Sequence, residues 1–145
     1  MKQPVYEWDE NTGYAGCTYT DKYGRTSCGI AMCHKDDRDV MSWRNGQTIA
    51  EYRARIAYAK TKRNDERIAL EALNRLYYGV KQSKHYNPKG YMETMLRRQI
   101  EQRTESYAEM KQYVKRLKAD FRIYMTKMKE LNQKYRDKMH PPLDL

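Results

Sequence analysis

From Leu96 to Tyr135 apolar and aromatic residues recur every three and four positions, and this repeat constrains the chain more than any other feature. One set is Ile100, Tyr107, Val114, Phe121, Met128 and Tyr135; the other is Leu96, Arg103, Met110, Leu117, Tyr124 and Leu131. Only Arg103 in the two sets is polar. Sustained heptad spacing of this kind specifies a long helix with one apolar seam. Asn87 reads as its N-cap with Pro88 at the first helical position. His140-Pro141-Pro142 closes it, because proline neither donates to the ladder nor fits the preceding turn. A helix over about 88–139 is roughly 75 Å long at 1.5 Å per residue. Its stripe must be covered by something.

The nearest cover lies upstream. Thr48-Ile49-Ala50-Glu51 fits a capping box and opens a second helical stretch, to about residue 82, interrupted by no proline and by one glycine, Gly79. Its apolar positions are Ile49, Tyr52, Ile56 and Ala59, then Leu70, Leu73, Tyr77 and Val80, with a polar waist at Arg63 and Glu66. The short connection from Ser83 to Pro88 favours antiparallel neighbours, hence a helical hairpin or coiled coil. The first helix is the shorter of the two, so the N-terminal segment or a second copy of the chain must cover the surplus seam. A second copy would make a homodimer.

The first 41 residues read differently. Asp9 to Gly13 and Asp21 to Gly24 are turn signals, and Tyr14–Thr20 and Arg25–Cys33 alternate as strands do. Cys28, Ile30 and Met32 share one parity and are expected to face the core. A four-residue loop at Asp21–Gly24 pairs Thr20 with Arg25, Cys17 with Cys28, and Ala15 with Ile30. Such a β-ribbon is too small to stand alone and must dock on the helices. The expected organisation is a ribbon and acidic connector over 1–41 and a basic helical hairpin over 42–145. The fold class is mainly α, with a small antiparallel ribbon (α+β).

Composition suits a narrow core. The chain has 145 residues, 33% of them charged, with one Phe against 14 Tyr and 9 Met, residues that favour seams and contact surfaces. Its net charge is +10. That excess is concentrated: residues 42–90 carry 11 basic and 4 acidic side chains, and residues 111–138 carry 10 and 3. A solvated helix exterior is charged too, but it mixes the signs. This imbalance points to a nucleic acid, DNA or RNA, or to an acidic protein face as partner. The candidate contacts on the first helix are Arg53, Arg55, Lys60, Lys62, Arg63 and Arg67. Those on the second are Lys111, Lys115, Arg116, Lys118, Arg122, Lys127 and Lys129. In an antiparallel hairpin the two groups are expected to merge into one basic flank. Around the connection, Lys81, Lys84, His85, Tyr86 and Lys89 interleave with Tyr77, Tyr78 and Tyr91, a mixture that suits stacking on bases and pairing with phosphates.

Catalysis finds few actors. The sequence has three histidines, His34, His85 and His140, and no G-x-x-x-x-G-K-[ST], H-E-x-x-H or G-x-S-x-G motif. Cys17, Cys28, Cys33 and His34 contain zinc-ligand types but lack a C-x2-C knuckle, so buried thiols explain them better. His34, Asp36, Asp37 and Asp39 read as a capped turn rather than a divalent-metal site, which would need further ligands. No metal and no cofactor is expected. No apolar run reaches the ~18 residues of a membrane span, and the N-terminus lacks a signal-peptide core. An intracellular, cytoplasmic protein with reduced thiols is expected.

Several stretches together carry a resemblance: Gly29-Ile30-Ala31-Met32-Cys33-His34-Lys35-Asp36-Asp37, Gly46-Gln47-Thr48-Ile49-Ala50-Glu51-Tyr52-Arg53-Ala54, Ala72-Leu73-Asn74-Arg75-Leu76-Tyr77-Tyr78, Ser83-Lys84-His85-Tyr86-Asn87-Pro88-Lys89 and Met95-Leu96-Arg97-Arg98-Gln99-Ile100. In this order the chain resembles a family of small proteins encoded in phages and prophages of Gram-positive bacteria. The likeness spans most of residues 5–110; beyond them the heptads match only in character. It brings no catalytic or binding residue. What it implies is a setting, the cytoplasm of a host bacterium. There, small phage accessory proteins inhibit host defence nucleoproteins, anti-CRISPR proteins among them, or handle phage DNA in replication and recombination.

Overall fold

A computed structural model describes residues 3–33 and 42–139 of the chain. Three strands precede two long helices: β1 (Val5–Asp9), β2 (Tyr14–Thr20), β3 (Thr26–Met32), α1 (Trp43–Lys81) and α2 (Tyr91–Met139). The mainly α fold with a small antiparallel sheet is the expected one. The acidic residues Asp36, Asp37 and Asp39, with His34 and the terminator His140-Pro141-Pro142, lie outside the described residues. The chain divides into two compact units. The first contains the sheet, the start of α1 to Tyr58, and α2 from Lys115; the second contains residues 59–114.

In the first unit the sheet order is β1-β2-β3 with antiparallel neighbours. The register of β2 and β3 differs from the expected one by one residue: Thr20 pairs with Thr26, Thr18 with Cys28, Cys17 with Gly29 and Ala15 with Ala31. The cause is in the turn. Asp21 N–H donates to the Arg25 carbonyl at 2.9 Å, and Gly24 N–H donates to the Asp21 carbonyl at 3.1 Å. Gly24 has φ +82°, a left-handed conformation. The loop is therefore Lys22-Tyr23-Gly24, a three-residue turn closed by a glycine, with Arg25 on the strand opposite Asp21. Because side chains alternate, a slip of one residue exchanges the faces. Gly29 and Ala31 are buried, and Cys28, Ile30 and Met32 are exposed.

Close packing against α1 decides which face is inside. Ala50 and Ala54, one turn apart, are fully buried against the sheet with Ala15, Cys17, Tyr19 and Ala31. A β-carbon on Gly29 would stand 2.0 Å from the Ala50 carbonyl oxygen and 2.5 Å from the Ala54 nitrogen. Only glycine permits that approach, so the small residues of β3 meet the helix and its large ones do not. Trp8, Ile49 and Tyr58 close the rim of this cluster. The other side of α1 meets α2, where Tyr52 packs on Phe121 and Tyr124, with ring centroids 5.3 and 5.7 Å apart.

Helix boundaries also shift. α1 begins at Trp43, with the Ser42 carbonyl accepting from Gly46 N–H at 3.0 Å. Thr48 is thus inside the helix, donating to the Arg44 carbonyl at 2.9 Å, and forms no capping box with Glu51. Asn87 builds a turn rather than a cap: its side chain accepts from Lys89 N–H at 3.0 Å, and α2 starts at Tyr91 after Gly90.

In the second unit α1 and α2 run antiparallel. Tyr77 and Glu93 bond at one end, and Arg103 forks onto Glu66 farther along, at 3.1 Å to each oxygen. That ion pair fills the polar waist, where one heptad position holds an arginine. Leu96, Val114 and Ala59 are buried in this unit.

Candidate polyanion-binding surface

At 100° per residue, Lys115, Lys118, Arg122, Lys129 and Arg136 fall within a wedge of about 60° on α2. Between Lys115 and Arg136 that wedge borders the seam and contains no acidic residue; Asp120, Glu130 and Asp137 lie on other faces. Lys115, Arg122 and Lys129 are exposed and Lys118 is half-buried. None of these four is ion-paired within the described residues. Arg116 and Lys127 lie on the opposite flank of the helix, both exposed. Among the described residues, Lys115, Lys118, Arg122 and Lys129 thus form a row of cations in the first unit with no carboxylate paired to any of them.

The cations of α1 are employed differently. Arg53 donates to the Ile30 carbonyl at 2.6 Å and lies 5.8 Å from the Phe121 ring centre, so it caps the free edge of β3. Arg55 pairs with Glu51 at 2.6 Å. Both are structural before they are anything else. In the second unit Arg67 pairs with Glu71 at 2.8 Å and with Asn64 at 2.7 Å. Lys60 is exposed and Lys62 and Arg63 are half-buried on the same helix. Lys111 lies over the Tyr107 ring at 5.1 Å. Charge counting finds all these residues. It does not sort those that hold the fold from those that face outward.

The hairpin end of the second unit holds a group that sequence reasoning missed. Glu93 is 4% exposed. Its Oε1 accepts from the Tyr77 hydroxyl and, at 2.7 Å, from Arg97. The Tyr77 bond, reinforced by Tyr86 and Arg97, holds its carboxyl below the usual range despite burial. Its other oxygen, Oε2, is buried with no hydrogen-bond partner among the described residues. The nearby Glu93 carboxylate pushes the half-buried Tyr86 phenol up to about 12. The available signal was a lone acid, two residues into α2, after a long acid-free stretch. Lys81 lies 4.2 Å from the Tyr77 ring centre, and Lys84, His85 and Lys89 are exposed around it.

The cysteines separate. Cys17 is buried on the inner face of the sheet and Cys28 is exposed on the outer face, so the expected pairing of the two across the ribbon does not occur. Burial pushes the Cys17 thiol up, keeping it neutral. Among the described residues no three His, Cys, Asp or Glu side chains are placed to hold a metal ion. No helix among the described residues is long and apolar enough to cross a membrane. A cavity of about 230 Å³ lies beside Trp8, Cys33, Ile49 and Met128, and among the described residues Lys129 is its one charged lining residue. No known protein family matches the chain, and neither a curated protein nor a solved structure is similar to it.

Proposed function

We propose that this chain is a non-catalytic binding protein that engages nucleic acid, free or within a nucleoprotein, through the cationic row of α2. The observation that carries the reading is the acid-free wedge of Lys115, Lys118, Arg122 and Lys129, unpaired among the described residues. Lysine and arginine in such a row neutralise successive phosphates and release their counterions, which drives binding without base recognition. The phage-like resemblance supplies the setting: a cytoplasmic inhibitor of a host defence nucleoprotein, anti-CRISPR in type, that competes for guide RNA or target DNA. The exposed tyrosines at the hairpin end favour a second reading, a nucleic-acid-binding accessory factor in phage replication or recombination.

The test is fluorescence anisotropy of the full chain with short labelled DNA and RNA, across salt. Log affinity should fall linearly with log salt, by orders of magnitude between about 50 and 200 mM if several phosphates are neutralised. Reversing Lys115, Lys118, Arg122 and Lys129 to Glu should weaken binding and flatten that slope by about 0.9 for each duplex phosphate that is no longer neutralised. Unchanged binding in the reversed variant, or no binding at the lowest salt, overturns the reading. Tighter affinity for a guide-loaded effector than for naked nucleic acid would select the inhibitor; the reverse would select the accessory factor.

A further inference from the structure

We propose that the hairpin end of the second unit is a contact for single-stranded nucleic acid, in which Tyr78 and Tyr91 stack on unpaired bases and Lys81, Lys84 and Lys89 hold the backbone. The inference rests on the nucleic-acid reading above but concerns a different surface. Three observations carry it.

The first is exposure. Tyr78 is 68% exposed and Tyr91 is 80% exposed. They stand in the last turns of α1 and the first turn of α2, at the same end of the hairpin. An aromatic ring normally buries a large apolar area, and these two leave theirs to water. Their neighbour Tyr77 turns inward onto Glu93, so sequence spacing alone does not distinguish the three.

The second is charge. Residues 72–92 contain no acidic side chain, and they carry Arg75, Lys81, Lys84 and Lys89 with His85. Arg75, Tyr78 and Lys81 follow one another at three-residue spacing, which places a cation on either side of the ring along one helix face. The first acid beyond is Glu93, buried and bonded to Arg97. No exposed carboxylate within the segment repels a phosphate.

The third is preorganisation. Ser83 N–H donates to the Val80 carbonyl at 3.1 Å, Tyr86 N–H to Ser83 at 3.2 Å and Gly90 N–H to Asn87 at 3.0 Å. Tyr77 and Arg97 converge on the Glu93 carboxylate beneath them. A loop already ordered loses little freedom on binding. An acidic protein would be attracted by the lysines but gives two open rings no particular role. Unpaired bases give them one, because every base has a face to stack, whereas a duplex keeps its faces inside.

The experiment compares a labelled 15-nucleotide oligothymidylate with a 15-base-pair duplex, using the full chain and its Tyr78→Ala/Tyr91→Ala variant. Both side chains are solvent-exposed, and an unchanged melting temperature confirms that the variant is folded. The variant should lose on the order of tenfold or more in affinity for the single strand, as removal of stacking partners does. Duplex affinity should stay within about twofold, since phosphate contacts supply it. Tyr78→Trp/Tyr91→Trp should retain single-strand binding. Unchanged single-strand affinity in the alanine variant overturns this proposal while leaving the cationic row intact as the binding surface. An equal loss on single strand and duplex also overturns it, because stacking is then not what the rings supply. Absence of any nucleic-acid binding by the wild type overturns both proposals together.

Discussion

At the scale of single residues, the first unit is tied by one buried carboxylate. Asp21 is 3% exposed. One oxygen accepts from Tyr23 N–H at 2.8 Å and Arg25 N–H at 3.0 Å, fixing the turn; the other accepts from the Tyr58 hydroxyl at 3.0 Å, fixing the turn to α1. Tyr58→Phe removes that donor and leaves the charged oxygen short of it, so it should cost about 2 kcal/mol. Chemical denaturation of the two proteins measures it. The same bond has a pH signature. Burial, with the hydrogen bond to Asp21 second, pushes the Tyr58 phenol up to about 12 from an ordinary 10.0. Between those values the unfolded chain releases the proton and the folded chain keeps it. Stability from this tyrosine is therefore whole below pH 10 and is lost as pH rises towards 12. Tyr6, which donates to Glu51 at 3.0 Å, is shifted to about 12 as well, mainly by burial. Tyr58→Phe should flatten the alkaline decline without abolishing it.

At the scale of elements, glycines discriminate between packing and flexibility. Gly29→Ala drives a methyl group into the backbone of α1 at Ala50 and Ala54, which cannot swing aside. It should destabilise by about 3 kcal/mol, the upper end of overpacking costs. Gly16→Ala meets only the hydroxyl end of Tyr14, 2.7 Å away, and that side chain can rotate, so the cost should be much smaller. Gly79→Ala meets nothing within 4 Å inside α1 and should stabilise by about 1 kcal/mol through helix propensity. Thermal melts of the three variants give the order. This contrast explains what the sequence made legible. The heptads and the single break near residues 83–90 report two antiparallel helices, because periodicity records which side is dry. The face of β3 did not follow hydrophobicity. Ile30 and Met32 look like core, but the helix approaches too closely for anything larger than Gly29 and Ala31. Gly46 lies inside α1, where a β-carbon would press on Ala15 and Trp8. Cation clusters were visible as composition. Their division into bound and outward-facing members depends on partners such as the Ile30 carbonyl, which is remote in sequence from Arg53 and invisible to a charge count.

At the scale of the whole molecule, excess positive charge acts in two ways that salt separates. A net charge of +10 repels itself in the compact state more than in the unfolded one. Added salt screens that repulsion over a length of ~10 Å at 0.1 M. The melting temperature of the protein alone should therefore rise between about 20 and 200 mM sodium chloride, a range that shortens the screening length markedly. A bound nucleic acid stabilises the folded state in proportion to the logarithm of its concentration over the dissociation constant. Salt weakens that binding by restoring the competing counterions. The increment in melting temperature produced by a fixed amount of oligonucleotide should thus shrink over the same range. If the charges served solubility only, the first trend would appear without the second, since no increment would exist to lose. Reversal of Lys115, Lys118, Arg122 and Lys129 should raise the low-salt melting temperature of the free protein and shrink the increment. One row of side chains would then contribute both to the instability of the free state and to the affinity of the bound one.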